Sequence, residues 1–234
     1  MRTTHSTFRL AGTTVHQITF DPTTFTDADL LWLPHHNALA HAAPKRKAEH
    51  LAGRLAAAHA LQEYGSTAIP AIGSSGEPLW PDGMTGSISH TASRALAVVT
   101  PHGLTGIDGE IILADDEAVE IKDGIIGPAE DSLLRHTGLP FAQALTLTFS
   151  AKESLFKALF SQVNAMMGFD CARVTALDEN TLTLALTRPL ALTRPLAGFS
   201  QDDAFTLFWL RDGNTQITLL PPFPAASRKS PSRR

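Results

Sequence analysis

Two short stretches near the start, FRLAG and TVHQITF within residues 6–20, are rich in β-branched and aromatic residues and predict strands. Residues 27–41 are mixed, with a helical hint in DADLLWL closed by Pro34. From Lys45 to Tyr64 the period becomes helical: Ala48, Leu51, Leu55 and Ala58 recur on one side, while Arg46, His50 and Arg54 line the other. Gly65 stops this helix, and residues 65–83, rich in Gly, Pro and Ser, read as loop. GSISH (86–90), ALAVVT (95–100) and GIDGEII (106–112) predict three strands separated by turn residues. PAEDSLLRH predicts a helix within 128–137, and a stronger one starts at Ser150, where Ala151, Leu155, Ala158 and Leu159 form the apolar stripe. The last third is mostly β: TLTLALT (181–187), FTLFWLR (205–211) and TQITLLP (215–221).

Strand, helix and strand follow each other twice, with a join near Pro101–Thr105, which predicts an α+β fold built from one unit used twice. The expected division is an N-terminal lobe over 1–102, a C-terminal lobe over 103–222, and a Pro-rich basic tail over 223–234 that is expected to be disordered. The perfect tandem LTRPLA–LTRPLA (186–197) is too short for a solenoid and reads as a lengthened hairpin loop.

Composition narrows the class. At 234 residues, with 43% hydrophobic and 18% charged residues, the chain can bury a sizeable core. A net charge of -4 argues against general nucleic-acid binding, which needs a basic surplus. The one cysteine, Cys171, excludes an internal disulfide and fits a reducing compartment. No apolar run is long enough to span a bilayer, and the N-terminus does not read as a signal peptide, so a soluble cytoplasmic protein is expected.

Candidate chemistry is concentrated in four places. Asp108 and Glu110 stand two apart in a strand and therefore project together, while Gly109 faces the opposite side. Two adjacent like charges need a neutralising group, and paired hard oxygens on a rigid strand suit Mg²⁺; two solvated surface acids would give the same pattern. Glu153 and Lys157 lie at i, i+4 on the polar side of the second helix, where a Ser150–Glu153 capping box with an exposed salt bridge explains them equally well. Arg46, His50 and Arg54, with Lys45 and Lys47 nearby, fit either a solvated face or phosphate recognition. Ser89 and His90 end a small strand and could hydrogen-bond an anion, although a structural histidine is the plainer reading. His35, His36 and His41 have no acid or cysteine pattern to complete a metal site and read as packing or surface residues.

In order along the chain, K-R-K-x-E-H-L-x-G-R (45–54), G-S-I-S-H (86–90), G-I-D-x-E (106–110) and F-S-A-K-E-S-x-x-K (149–157) closely resemble the 4′-phosphopantetheinyl transferases of the enterobactin synthase type. The similarity runs from about residue 5 to 160, includes LLWLPHH (30–36) and PAIG (70–73), and weakens through the C-terminal strands. The resemblance implies a pseudo-dimer of two similar α/β lobes with the active site between them. It implies transfer of the phosphopantetheine arm of coenzyme A to a serine of an apo carrier protein, with release of 3′,5′-ADP. The subtype points to aryl- and peptidyl-carrier domains of siderophore synthases as partners, and a monomer is expected.

Carried over onto this sequence, Asp108, Glu110 and Glu153 should hold Mg²⁺. His90, with Ser89 and Arg54, should grip the coenzyme's phosphates, Lys152 and Lys157 should face the pyrophosphate, and Lys45, Arg46 and Lys47 should add to coenzyme binding. Glu153 is the expected base for the serine proton, and Lys157 the expected partner of the leaving phosphate. The chain departs from the pattern at Gly109, where the family usually has a large aliphatic residue, at Phe149, where many members have Trp, and at Glu77, where relatives often have Lys, Arg or Gln. Because Gly109 leaves core space unfilled on this reading, Gly109→Ile is expected to stabilise the fold. The rival readings are a Mg²⁺-dependent phosphoesterase or nuclease, and a non-catalytic coenzyme A-binding or carrier-docking module.

Overall fold

The computed structural model describes residues 1–163, 165–187 and 199–224; the LTRPLA duplication beyond Thr187 and most of the basic tail lie outside the described residues. The first lobe opens with a hairpin of β1 (Arg2–Leu10) and β2 (Thr13–Asp21), followed after 3₁₀ turns by helix α1 (Pro44–Gln62). Pro44 sits in the first turn, where its missing N–H costs nothing, and Gly65 ends the segment with φ of +74°. Two short strands, β3 (Ala71–Ile72) and β4 (Pro78–Leu79), pair within the loop expected over 65–83. Strands β5 (Thr85–His90) and β6 (Arg94–Thr100) complete a four-stranded antiparallel sheet in the order β1-β2-β6-β5.

Helix α1 lies on this sheet through Ala48, Ala52 and Ala56, small residues at i, i+4 spacing that let helix and sheet approach closely, against Ile18, Phe20, Ala95 and Ala97. A second apolar face, centred on Leu51, is covered by Leu30, Leu33 and Leu39 of the 3₁₀ segment. The helix is therefore enclosed on two sides, and His50 and Arg54, expected on its open side, are both buried.

The second lobe begins with β7 (Leu104–Ile111) and continues through α2 (Asp115–Ile121) and α3 (Pro128–Leu134) to the long helix α4 (Phe141–Val163). Strands β8 (Ala172–Leu177), β9 (Thr181–Leu186), β10 (Ala204–Asp212) and β11 (Thr215–Phe223) form, with β7, a five-stranded antiparallel sheet in the order β7-β11-β10-β9-β8. Helix α4 packs on it through Leu145, Leu147, Ala151, Leu155 and Leu159. Two sheets, each carrying one long helix, make the expected α+β pair of lobes.

Helix α4 corrects one expectation. It begins at Phe141, not Ser150, so Ser150 is mid-helix and its hydroxyl bonds Thr218 Oγ1 at 2.8 Å instead of capping. The stretch AQALTLTF hides the first two turns, because its alternating Leu and Thr residues read equally well as strand. The capping-box explanation of Glu153 is thereby removed.

The lobes meet where β5 and β7, each at the edge of its own sheet, cover one another. Two serine hydroxyls of β5 stand in for a backbone ladder: Ser87 Oγ accepts from Ile107 N and Ser89 Oγ from Gly109 N, both at 3.0 Å. Beneath this seam Val15, Leu96 and Val98 of the first lobe pack with Ile107, Ile217 and Leu219 of the second. Gly109 faces this shared core, as the strand alternation requires. Space there is tighter than the sequence suggests, since a Cβ would stand 3.2 Å from Leu96 Cδ1, and that side chain would have to give way by a few tenths of an ångström. On the other side of β7, a Cβ at Gly106 would collide with the Ser154 carbonyl oxygen, so this glycine lets α4 lie directly on the strand.

Candidate active site

That close contact brings residues of α4 beside the acids of β7. Lys157 Nζ donates to Asp108 Oδ1 at 2.7 Å and to Ile107 O at 3.2 Å. Ser89 Oγ donates to the same Asp108 oxygen at 3.1 Å. Asp108 is 3% exposed, and its second oxygen, Oδ2, is buried without a hydrogen-bond partner among the described residues. Burial, and then the charge of Asp108, push the Glu110 carboxyl up to about 8. The same two causes, in the same order, raise Glu153, and Lys157 opposes them at both acids.

Three carboxylates thus share one partly buried place with one ammonium, and charge is underbalanced there. Among the described residues no three His, Cys, Asp or Glu side chains are gathered tightly enough to hold a metal ion as they stand. The donor set nevertheless fits a hard divalent cation. It offers an orphaned carboxylate oxygen on Asp108 and two further acids whose carboxyls are pushed up by burial and by the charge of Asp108.

A second group lies at the end of β5. Arg46 donates from Nη1 to His90 Nε2 at 3.0 Å, and His90 Nδ1 is 3.6 Å from Glu49 Oε2. Burial pulls the His90 imidazole below its ordinary range; Glu49 works against that shift and Arg46 adds to it. Lys45 reaches out at the rim, 4.0 Å from Glu49. Between the lobes runs a cavity of about 640 Å³. Trp80, Met84 and Ile88 line it from the first lobe, and Phe156 and Met166 from the second; Glu153 and Lys157 stand on its wall.

Several residues expected to meet the coenzyme are engaged elsewhere. Lys152 is fully buried on another side of α4. Its Nζ pairs with Glu130 Oε1 at 2.9 Å and donates to Ile125 O and Phe169 O at 2.8 and 2.9 Å. Glu130 in turn accepts from Gly127 N and Val174 N, so this pair ties α4 to α3 and β8 and does not face the acids. The helical period already sets adjacent residues about 100° apart, which separates Lys152 from the Glu153–Lys157 face. Arg54 donates from Nε to Pro70 O at 2.7 Å and from Nη2 to Ala71 O at 3.1 Å, bracing the loop ahead of β3; burial brings its guanidinium down to about 10. Lys47 turns to Asp27 at 2.9 Å. The Ser89 hydroxyl is occupied by Asp108 and Gly109 N, which makes it a support for the acid and removes it as a free anion ligand. Glu77 folds back on its own turn, accepting from Ser75 N at 2.9 Å. Glu49 and Glu130 were missed as partners, although Glu49 stands inside the 45–54 motif and Glu130 inside the segment PAEDSLLRH read as a helix.

Comparison with known proteins bears on this arrangement. The 4′-phosphopantetheinyl transferase N-terminal domain matches residues 34–100, and the 4′-phosphopantetheinyl transferase superfamily matches residues 105–210. Enterobactin synthase component D of Salmonella typhi is 45% identical over 220 residues, covering 94% of this chain and 91% of the relative. The protein of that name from Escherichia coli strain K12 is 52% identical over 169 residues, covering 72% and 81%. A 4′-phosphopantetheinyl transferase of Mycobacterium tuberculosis is 33% identical over 147 residues, covering 61% and 64%. No helix among the described residues is long and apolar enough to cross a membrane. Matched in both lobes, and by relatives along nearly its whole length, the chain belongs to the 4′-phosphopantetheinyl transferase superfamily.

Proposed function

We propose that the protein moves the 4′-phosphopantetheine arm of coenzyme A onto a serine hydroxyl of an apo carrier protein, releasing 3′,5′-ADP. Its carriers are the aryl- and peptidyl-carrier domains of an enterobactin-like siderophore synthase, a reading supported by the identity to enterobactin synthase component D. The observation that carries the proposal is the meeting of Asp108, Glu110, Glu153 and Lys157 beside an interlobe cavity in a chain of this family.

Asp108, Glu110 and Glu153 would hold Mg²⁺, which when bound neutralises charge developing on pyrophosphate oxygens. Glu153 is the base for the serine proton. Its carboxylate is raised by burial, so it binds a proton more strongly than an exposed acid. Lys157 uses two of its three N–H donors on Asp108 and Ile107 O, which leaves one for a leaving-phosphate oxygen. His90 and Arg46, with Lys45 at the rim, bind the coenzyme's phosphates through a cluster of donors. The first lobe, residues 1–102, supplies the phosphate contacts, and residues 103–222 supply the metal and acid–base groups. One chain contains every group named, so a monomer suffices, and a cytoplasmic location agrees with its single unpaired cysteine.

The test is incubation with coenzyme A, Mg²⁺ and apo carrier domains, read by mass spectrometry for a phosphopantetheine-sized increase on the carrier serine. An unmodified set of carriers overturns the proposal. Phosphate released from a nucleotide without any carrier would favour the phosphoesterase instead.

A further inference from the structure

Gln216 lies on β11, outside the elements that carry the acids, Lys157 and His90. It stands directly opposite Glu110 in the antiparallel register, so the two side chains share one face of the sheet. It is fully buried, and neither Oε1 nor Nε2 has a hydrogen-bond partner among the described residues. Of its polar neighbours Thr218 and Gln143 are satisfied, whereas Asp108 Oδ2 on the facing strand is not. Thr218, opposite Asp108, is bonded to the hydroxyls of Ser150 and Ser154, each at 2.8 Å, and Gln143 accepts from Arg211 at 3.4 Å.

A primary amide brings two donors and an acceptor into the interior. Leaving them unpaired costs free energy that an apolar side chain of the same shape would not incur. Such a group calls for a partner within its reach. Asp108 already has two orienting donors, Ser89 and Lys157, on one oxygen. For Glu110 the candidate in register is Gln216. Resting on the metal reading of the three acids, we propose that Gln216 is a positioning residue for Glu110: its Nε2 donates to the Glu110 carboxylate and holds it in the orientation that ligates the divalent cation. An amide suits this task, because it directs one carboxylate oxygen without adding a positive charge to compete with the ion.

The full-length chain tests this with Mn²⁺ as probe, its binding followed by electron paramagnetic resonance. Gln216→Met keeps the shape and removes the donor. It should weaken Mn²⁺ binding by at least about tenfold, the scale of an outer-sphere partner. Its melting temperature in chelator should be unchanged or higher, because two unpaired polar atoms are gone. In a Glu110→Gln background the same change should cost under about twofold more, because both substitutions remove one interaction. Mn²⁺ affinity retained in Gln216→Met, or losses that multiply in the double variant, would overturn the proposal. A measurement on the unaltered chain stands beside the variants: the Gln216 side-chain NH₂ resonances should shift on Mg²⁺ titration, and their indifference would also overturn it. The metal reading fails separately, if the unaltered chain shows no Mn²⁺ binding that Asp108→Asn abolishes.

Discussion

Glu110→Gln should make the metal-free protein more stable while weakening its metal site. The Glu110 carboxyl rises from 4.5 to about 8 because it is buried beside the Asp108 charge. Below pH 4.5 the group is protonated in folded and unfolded chains alike and makes no difference between them. As pH climbs from there, the unfolded chain gives up its proton and the folded chain keeps it until about pH 8. Folding therefore loses ground across that window, and the deficit is constant above it. A tenfold change in proton affinity is worth about 1.4 kcal/mol, so the full effect would approach ~5 kcal/mol. Glu110 keeps partial contact with water, which screens the interaction and reduces the expected gain to about 2 kcal/mol. For a chain of this length that corresponds to roughly 4–8 °C in melting temperature. Urea unfolding in chelator at pH 4 and pH 8.5 measures it: the variant should match the original at the lower pH and exceed it at the higher. With Mg²⁺ added, the order should reverse, because the complete set of three carboxylates binds the ion more tightly and binding stabilises the folded state. A difference independent of pH, or a variant weaker at pH 8.5, would refute the electrostatic account.

Gly109→Ile should destabilise the fold by about 1–3 kcal/mol in chemical denaturation, because the added Cβ presses on the buried Leu96 side chain; a more stable variant would show that Leu96 gives way and that the larger side chain fills space. Lys152→Met should cost about 3–5 kcal/mol by leaving Glu130 buried without its cation, and Lys152→Met with Glu130→Gln should recover part of that. A melting temperature unchanged in the single variant would deny the pair its bracing role. Glu153→Gln should lower kcat for carrier modification by about 10²-fold or more with the fold intact, and full turnover at saturating Mg²⁺ would remove Glu153 as the base.

Much of this protein was legible locally. The period-2 rule put Asp108 and Glu110 on one side of β7 and Gly109 on the other, because strand geometry alone sets that alternation. The 3.6-residue period placed α1 and paired Glu153 with Lys157, and the order of four short motifs pointed to the family. What escaped was decided by segments distant in sequence. His50 and Arg54 look like an open helical face until the 3₁₀ segment and the loop ahead of β3 cover it. Lys152 and Lys157 are the same residue type five positions apart, yet one is fixed by Glu130 and two carbonyls in the lobe interior, and the other meets Asp108. The space behind Gly109 is filled by Leu96 from the other lobe, and the need for Gln216 is visible only once β11 lies beside β7. Backbone periodicity is a property of neighbouring residues and can be read from them. Which side of an element is covered, and which long side chain finds which partner, depends on surfaces that come together only when the two lobes have packed.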